Sequence, residues 1–199
     1  IIARALKPRG VVYLHYMCHP GSTPMVPIQK LFNEVARQAP GDAREAVRQG
    51  LAMVDQLLAA GLFQDQPDML ARLGKLREVP VDDLAHDLLS DFWSVHHSSD
   101  VHWLLAQAGA HFVGSAAVFE NMDPALSMPQ EMLPLLTLGH SSAAGSVVRD
   151  LARRQQQRTD LFQREPSRLV GPQHVDALKP IRFRQIRPLD CTAPLKFAT

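Results

Sequence analysis

Seven imidazole and carboxylate side chains crowd into one short stretch: His86, Asp87, Asp91, His96, His97, Asp100 and His102. Such groups can ligate zinc or iron. Their spacing matches no standard ligand pattern, and a helical metal pair needs histidines four apart on one inward face. No metal site is therefore assigned, and Asp100 reads more simply as a helix cap. Cys18-His19 is a second candidate. A thiolate nucleophile needs a base within reach and a third group to orient that base. Neighbours on an extended segment point to opposite sides, so a packed or idle thiol is the simpler reading and no catalytic residue is assigned. Tyr16 and His19 follow the end of an apolar run, where open α/β sheets place their ligands. Both are candidates for a substrate pocket, against the alternative that Tyr16 only packs. Trp93 and Trp103 fall at helical spacing and read as core. Arg149, Arg153, Arg154, Arg158 and Arg164 are expected to pair with Asp150 and Asp160, Asp150 to Arg154 being an i, i+4 pair.

The elements that must position these groups follow from periodicity. Residues 2–7 read as the end of a helix stopped by Pro8-Arg9-Gly10. Val11-Val12-Tyr13-Leu14-His15-Tyr16 is a β-branched and aromatic run that predicts a buried parallel strand. A loop with Pro20, Gly21, Pro24 and Pro27 follows. Ile28, Leu31, Phe32, Val35 and Ala36 trace one helix stripe, ended by Pro40-Gly41. Asp42 caps the next helix, with Glu45 at the capping-box position. Its stripe is Val47, Leu51, Val54 and Leu58. Asp65 or Asp68 starts a third helix through Met69, Leu70, Leu73 and Leu76, and a fourth carries Val81, Leu84, Leu88 and Phe92. Ser98, Ser99 or Asp100 caps a helix with Val101, Leu104, Leu105 and Ala108 inward, closed by Gly109. Residues 111–118 then predict a strand, so the arrangement is α/β rather than all-α. Residues 129–138 and 143–157 read as helices, and 181–185 as an edge strand.

The 199 residues are 46% hydrophobic and 21% charged, a composition that excludes wholesale disorder. No apolar run approaches the roughly 18 residues of a membrane span. Two cysteines, Cys18 and Cys191, exclude a disulfide scaffold and fit a reducing cytoplasm. Net charge is +1 overall, yet residues 147–187 carry ten basic and four acidic side chains. A basic segment can bind nucleic acid. A solvated helix face is the simpler reading, because no aromatic stacking platform is interleaved with the arginines. The first residue is Ile1 and no secretory signal follows it, so the sequence is expected to start at a processing site or partway through a longer protein.

Leu6-Lys7-Pro8-Arg9-Gly10-Val11-Val12-Tyr13 resembles the Leu-Lys-Pro-Gly-Gly turn and strand of class I S-adenosylmethionine-dependent methyltransferases, with Arg9 replacing a glycine. Tyr16-Met17-Cys18-His19-Pro20-Gly21 and Pro27-Ile28-Gln29-Lys30-Leu31 are similar to the segment after that strand in bacterial methyltransferases with a methyltransferase regulatory domain. Asp91-Phe92-Trp93-Ser94, Ala108 to Ala116, Glu120-Asn121, and Arg149 to Phe162 extend the likeness in the same order. Met17, Ser22 and Gln156 or Gln157 depart from it. The resemblance implies an α/β, mostly helical fold. It comprises the last strands of a class I methyltransferase sheet, a helical insertion and a helical C-terminal part. It also implies in-line attack of a nucleophile, such as a lysine amine, on an activated methyl group.

The expected organisation is the end of the methyltransferase core over residues 1–26 and a helical insertion over 27–80. A helix–strand return to the sheet edge would cover 81–122, with a regulatory segment and the start of a further domain over 123–199. A glycine-rich turn after a strand, with an acidic residue beyond the next strand, would hold the cofactor. The sequence has none, and Gly109-x4-Gly114 is a helix-to-strand crossing of the wrong polarity. S-adenosylmethionine is thus expected in the full-length enzyme and not in this chain alone. The function implied is the regulatory or acceptor-site portion of a cytoplasmic methyltransferase acting on protein. Its partners would be a cofactor-binding half and, through the helices of 28–78, a second copy. The alternatives are a non-enzymatic interaction or dimerisation module, a nucleic-acid binder using residues 147–187, or a relic without function.

Overall fold

The structure is a computed structural model that describes residues 2–38, 41–123, 129–138, 142–166, 169 and 171–182. In chain order its elements are α1 (Ile2–Ala5), β1 (Val11–Cys18), α2 (Val26–Gln38), α3 (Ala43–Ala59), α4 (Pro67–Leu76) and α5 (Val81–Leu88). They continue with β2 (Val95–His96), α6 (Ser98–Gln107), β3 (Ala110–Ser115), α7 (Leu133–Leu138), α8 (Ser142–Arg153), β4 (Gln157–Arg164) and α9 (Pro172–Leu178). The strand order is β2-β1-β4-β3. The α/β, mostly helical expectation holds.

The chain divides into two compact units, one of residues 1–15, 99–153 and 159–199, the other of residues 16–98 and 154–158. In the second unit the stripes of α2, α3, α4 and α5 converge. Ile28, Phe32, Val47, Val54, Met69, Leu73, Leu84 and Leu88 form one buried cluster, the burial of apolar area that makes short helices stable. Asp42 caps α3 by accepting from the Arg44 amide at 3.0 Å. Gln29, buried on α2, donates to the carbonyls of Leu88 and Ser90 at 3.0 Å each, satisfying the C-terminal end of α5.

In the first unit Leu105, Ala110 and Phe162 form a smaller cluster with Ile2, Leu6, Val12, Leu14 and Val101 around it. β3 and β4 pair antiparallel, Ala110 opposite Arg164 and Ser115 opposite Asp160, with a bulge between Phe112 and Gly114. Asn121 then closes the segment after β3. Its Oδ1 accepts from the Ser115 amide and its Nδ2 donates to the Ser115 carbonyl, both at 2.8 Å. Glu120 accepts from the Ser115 hydroxyl at 2.6 Å.

Several expectations need correction. The helix predicted through residue 157 ends at Arg153, and Gln157–Arg164 is a strand. Its inward positions Arg158, Asp160 and Phe162 are buried, so polar residues occupy the apolar places of the alternation. The third helix is preceded by Gln66 and begins at Pro67, neither Asp65 nor Asp68 serving as cap. Phe92 lies beyond α5 and is 94% exposed, while Trp103 and Leu104 on α6 are largely exposed instead of core. Most of the edge strand predicted at 181–185, together with Cys191, lies outside the described residues.

Arg9 stands in the left-handed region at φ 59°, the conformation that favours glycine. The resemblance places a glycine at this position. Arg9→Gly is expected to raise stability by a few tenths to about 1 kcal/mol, the relief of left-handed strain outweighing the added chain entropy. A lowered melting temperature in thermal unfolding would contradict this.

Candidate acceptor-side site at the ends of the parallel strands

β1 and β2 run parallel in the second unit, with Met17 opposite Val95 and Cys18 opposite His96. The His19 amide extends the ladder by donating to the His96 carbonyl at 3.0 Å. Parallel pairing with this register sets the C-terminal ends of both strands side by side, where open α/β sheets bind ligands. Four ring-bearing residues meet there. The His19 imidazole stacks on His97 with centroids 4.3 Å apart, and Tyr16 meets His96 edge-on at 6.4 Å. His19 Nδ1 lies 2.7 Å from Thr23 Oγ1, and His96 Nε2 lies 2.7 Å from Ser94 Oγ.

The loop that carries His19 is fastened from below. The amides of Cys18 and Gly21 donate to the carbonyls of Gln156 and Gln155 at 2.8 and 2.9 Å. The buried Ser22 hydroxyl donates to the Gln156 carbonyl at 2.6 Å. Cys18 is fully buried, and its thiol donates to the His19 carbonyl at 3.1 Å. The thiol is a packed group, as the sequence suggests.

Burial holds His19 below the usual imidazole value, and the neighbouring His97 and then His96 push it the same way against an opposing hydrogen bond to the Val95 backbone. A histidine depressed in the folded state contributes stability that is present above about pH 6.5, its unfolded value, and lost as pH falls through the lower folded value. Unfolding free energy is therefore expected to decline below pH 6.5 in the wild type and to decline less in His19→Gln. Parallel pH profiles from urea titrations would contradict this placement of His19.

The acidic–histidine cluster does not come together as one site. His86 lies 3.3 Å from Asp87 on the α5 surface, Asp91 pairs with Arg37 at 3.4 Å, and Ser99 Oγ donates to Asp100 at 3.4 Å. Among the described residues no three metal-ligating side chains are grouped. His96 and His97 instead join His19. His96 is the last residue of β2 and His97 follows it, and a strand of two residues is too short to show alternation in the sequence.

His102 belongs to the first unit. Its Nε2 lies 2.9 Å from Asp160 Oδ2, and its ring stacks on Phe112 at 4.2 Å. Within the same unit Arg149 and Arg153 grip Asp123, at 2.6 and 2.7 Å, an acid outside the expected set. Arg164 donates to the Leu6 carbonyl at 2.8 Å. In the second unit Arg154 pairs with Asp68 at 2.8 Å, not with Asp150.

The glycines test whether the described residues fit a dinucleotide-like cofactor. A cofactor turn keeps its glycines open so that backbone can approach the ligand. A Cβ on Gly21 would fall 2.2 Å from the Arg154 carbonyl oxygen, and one on Gly10 2.8 Å from the Lys7 carbonyl. Both glycines are taken up by backbone packing within this chain. Neither of the two glycines flanking β1 is open in this way.

Residues 81–164 match the family model described as a predicted methyltransferase regulatory domain. An uncharacterized protein of Synechocystis, sll1526, is 28% identical over 190 residues, covering 94% of this chain and 37% of that protein. PKMT2 from Rickettsia typhi shares the fold with a TM-score of 0.63 and 14% identity, over 90% of this chain and 34% of that one. Its complex with AdoHcy gives 0.64 and 12%, over 89% and 34%. The chain thus spans little more than a third of the length of each relative. No described helix is long and apolar enough to cross a membrane. The chain is therefore similar to the predicted methyltransferase regulatory domain over residues 81–164, and nine-tenths of it shares the fold of about a third of PKMT2.

Proposed function

We propose that this chain is the regulatory and acceptor-side portion of an S-adenosylmethionine-dependent methyltransferase that modifies protein. The match of residues 81–164 to the regulatory domain carries the reading. The likeness in fold to PKMT2, which has been seen with AdoHcy, supports the cofactor class. The glycines of β1's flanking loops are occupied by the chain's own backbone, so a separate segment is assigned the cofactor. This chain's contribution is the site at the ends of β1 and β2. Tyr16 and His19 line the acceptor side there, and His19, neutral at neutral pH, offers a ring that neither repels nor competes with an incoming cationic side chain.

The test is a chimera in which this chain replaces the matching part of the Synechocystis relative. Transfer of labelled methyl from S-adenosylmethionine to bacterial protein is measured. Transfer is expected, with Tyr16→Ala and His19→Ala raising KM for the acceptor while AdoHcy affinity stays constant. A chimera that binds AdoHcy and methylates nothing would overturn the reading.

A further inference from the structure

Within the second unit, a cleft of about 800 Å³ opens between the loop after β1 and α4. It is distinct from the histidine site: neither Tyr16 nor His19 lines it, and its wall begins at Pro20. Arg72, in the middle of α4, is the central group. One of its five N–H donors is used by the Gly21 carbonyl, which accepts from Nη1 at 2.6 Å. Among the described residues no carboxylate pairs with it, although its side chain is half-buried. Burial alone pulls its guanidinium below the ordinary arginine value, the mark of a desolvated cation left uncompensated.

Lys75 lies one turn along the same helix, also lines the cleft, and has no ion pair among the described residues. The other lining charges are accounted for differently. Arg154 and Asp68 neutralise each other at 2.8 Å. Asp65, two residues before α4, is the one remaining acid among the described lining residues. Two free cations against one acid suit a single negative charge better than a dianion. Prolines 20, 24 and 67 and the buried Met69 supply apolar walls. The volume suits a ligand larger than an inorganic ion. One wall is also fixed: the tight approach of Gly21 to Arg154 and the hydrogen bonds of Gly21 and Ser22 to residues 155 and 156 leave the loop little room to relax.

We propose that this cleft binds a carboxylate side chain of an acidic polypeptide segment, the carboxylate meeting the free edge of Arg72 with Lys75 alongside and flanking apolar groups lying on the prolines. A bidentate guanidinium–carboxylate contact is the strongest pairing open to these donors. This site stands whether or not the chain serves a methyltransferase.

The full 199-residue chain is titrated into a fluorescein-labelled peptide of alternating Glu and Ala, followed by anisotropy. The same peptide with Gln for Glu, and inorganic phosphate as competitor, form the other arms. The Glu peptide is expected to bind and the Gln peptide at least tenfold more weakly. Arg72→Gln should weaken binding at least tenfold and Lys75→Gln about threefold. Arg48→Gln, on the exposed face of α3 away from the cleft, should leave it unchanged. Lys75→Gln alters an exposed side chain, so its effect can be read even if Arg72→Gln lowers stability. Equal binding of both peptides, loss with Arg48→Gln equal to that with Lys75→Gln, or displacement by phosphate at equal charge concentration would overturn the proposal.

Discussion

Asp160→Ala is expected to cost about 3 kcal/mol of folding stability, the order of magnitude for leaving a buried hydrogen-bonding group without its partner and opening a void beside it. Asp160 is fully buried on the inward face of β4. Its Oδ2 lies 2.9 Å from Nε2 of His102, itself only 13% exposed. The imidazole cannot turn to water for a substitute, because it is stacked on Phe112 at 4.2 Å and meets Phe162 edge-on at 5.5 Å. Truncation therefore strands a buried ring nitrogen and opens a void beside Phe162, so desolvation and cavity costs add. Asp160→Asn keeps the shape and an acceptor oxygen, and is expected to lose about half as much. Urea denaturation followed by circular dichroism checks both variants. An unchanged midpoint for Asp160→Ala would mean that the pair contributes nothing to holding α6 against β4.

Phe32→Ala is expected to cost about 3–5 kcal/mol, in the other unit and by a different cause. Phe32 on α2 is fully buried. A Cβ built on Gly50 of α3 would fall 2.6 Å from its Cδ1 and 2.7 Å from Cε1. The ring thus lies flush against glycine backbone, and α2 and α3 approach as closely as they do because residue 50 has no side chain. This predicts coupling. Gly50→Ala alone should destabilise by about 1–3 kcal/mol through overpacking. In the Phe32→Ala background the added methyl enters the void, and the same substitution should be nearly neutral. Additive losses in the double-mutant cycle would contradict the contact.

Both variants bear on what could be read beforehand. Phe32 is legible because it falls on an apolar stripe of period 3.6 with Ile28 and Leu31, and helical burial follows that period closely. The strand predicted at 11–16 is legible as a strand, since a β-branched and aromatic run has few other readings, but not as a buried one, because Val11 and Tyr13 are 57% and 61% exposed. β4 is not. Its inward positions are Arg158, Asp160 and Phe162, and the pattern of apolar residues is inverted because the buried charges are satisfied by partners distant in sequence, His102 for Asp160. A rule that equates inward with apolar reads such a strand as solvated helix. The partner of Arg149 and Arg153 is hidden likewise. The acid that Arg149 and Arg153 share is Asp123, 26 and 30 residues upstream, and local i, i+4 spacing cannot find it. Tyr16 and His19 are legible as the end of a strand. Their meeting with His96 and His97 depends on a parallel pairing two residues long, which carries no sequence period at all.

The most direct test of the division of labour proposed here is isothermal titration of AdoHcy into the purified 199-residue chain, beside the same titration into the chimera with the Synechocystis relative. The prediction is no detectable heat of binding for the chain alone and saturable one-to-one binding for the chimera. Saturable binding by the chain alone would place the cofactor site within these residues and contradict the assignment of an acceptor-side, regulatory portion.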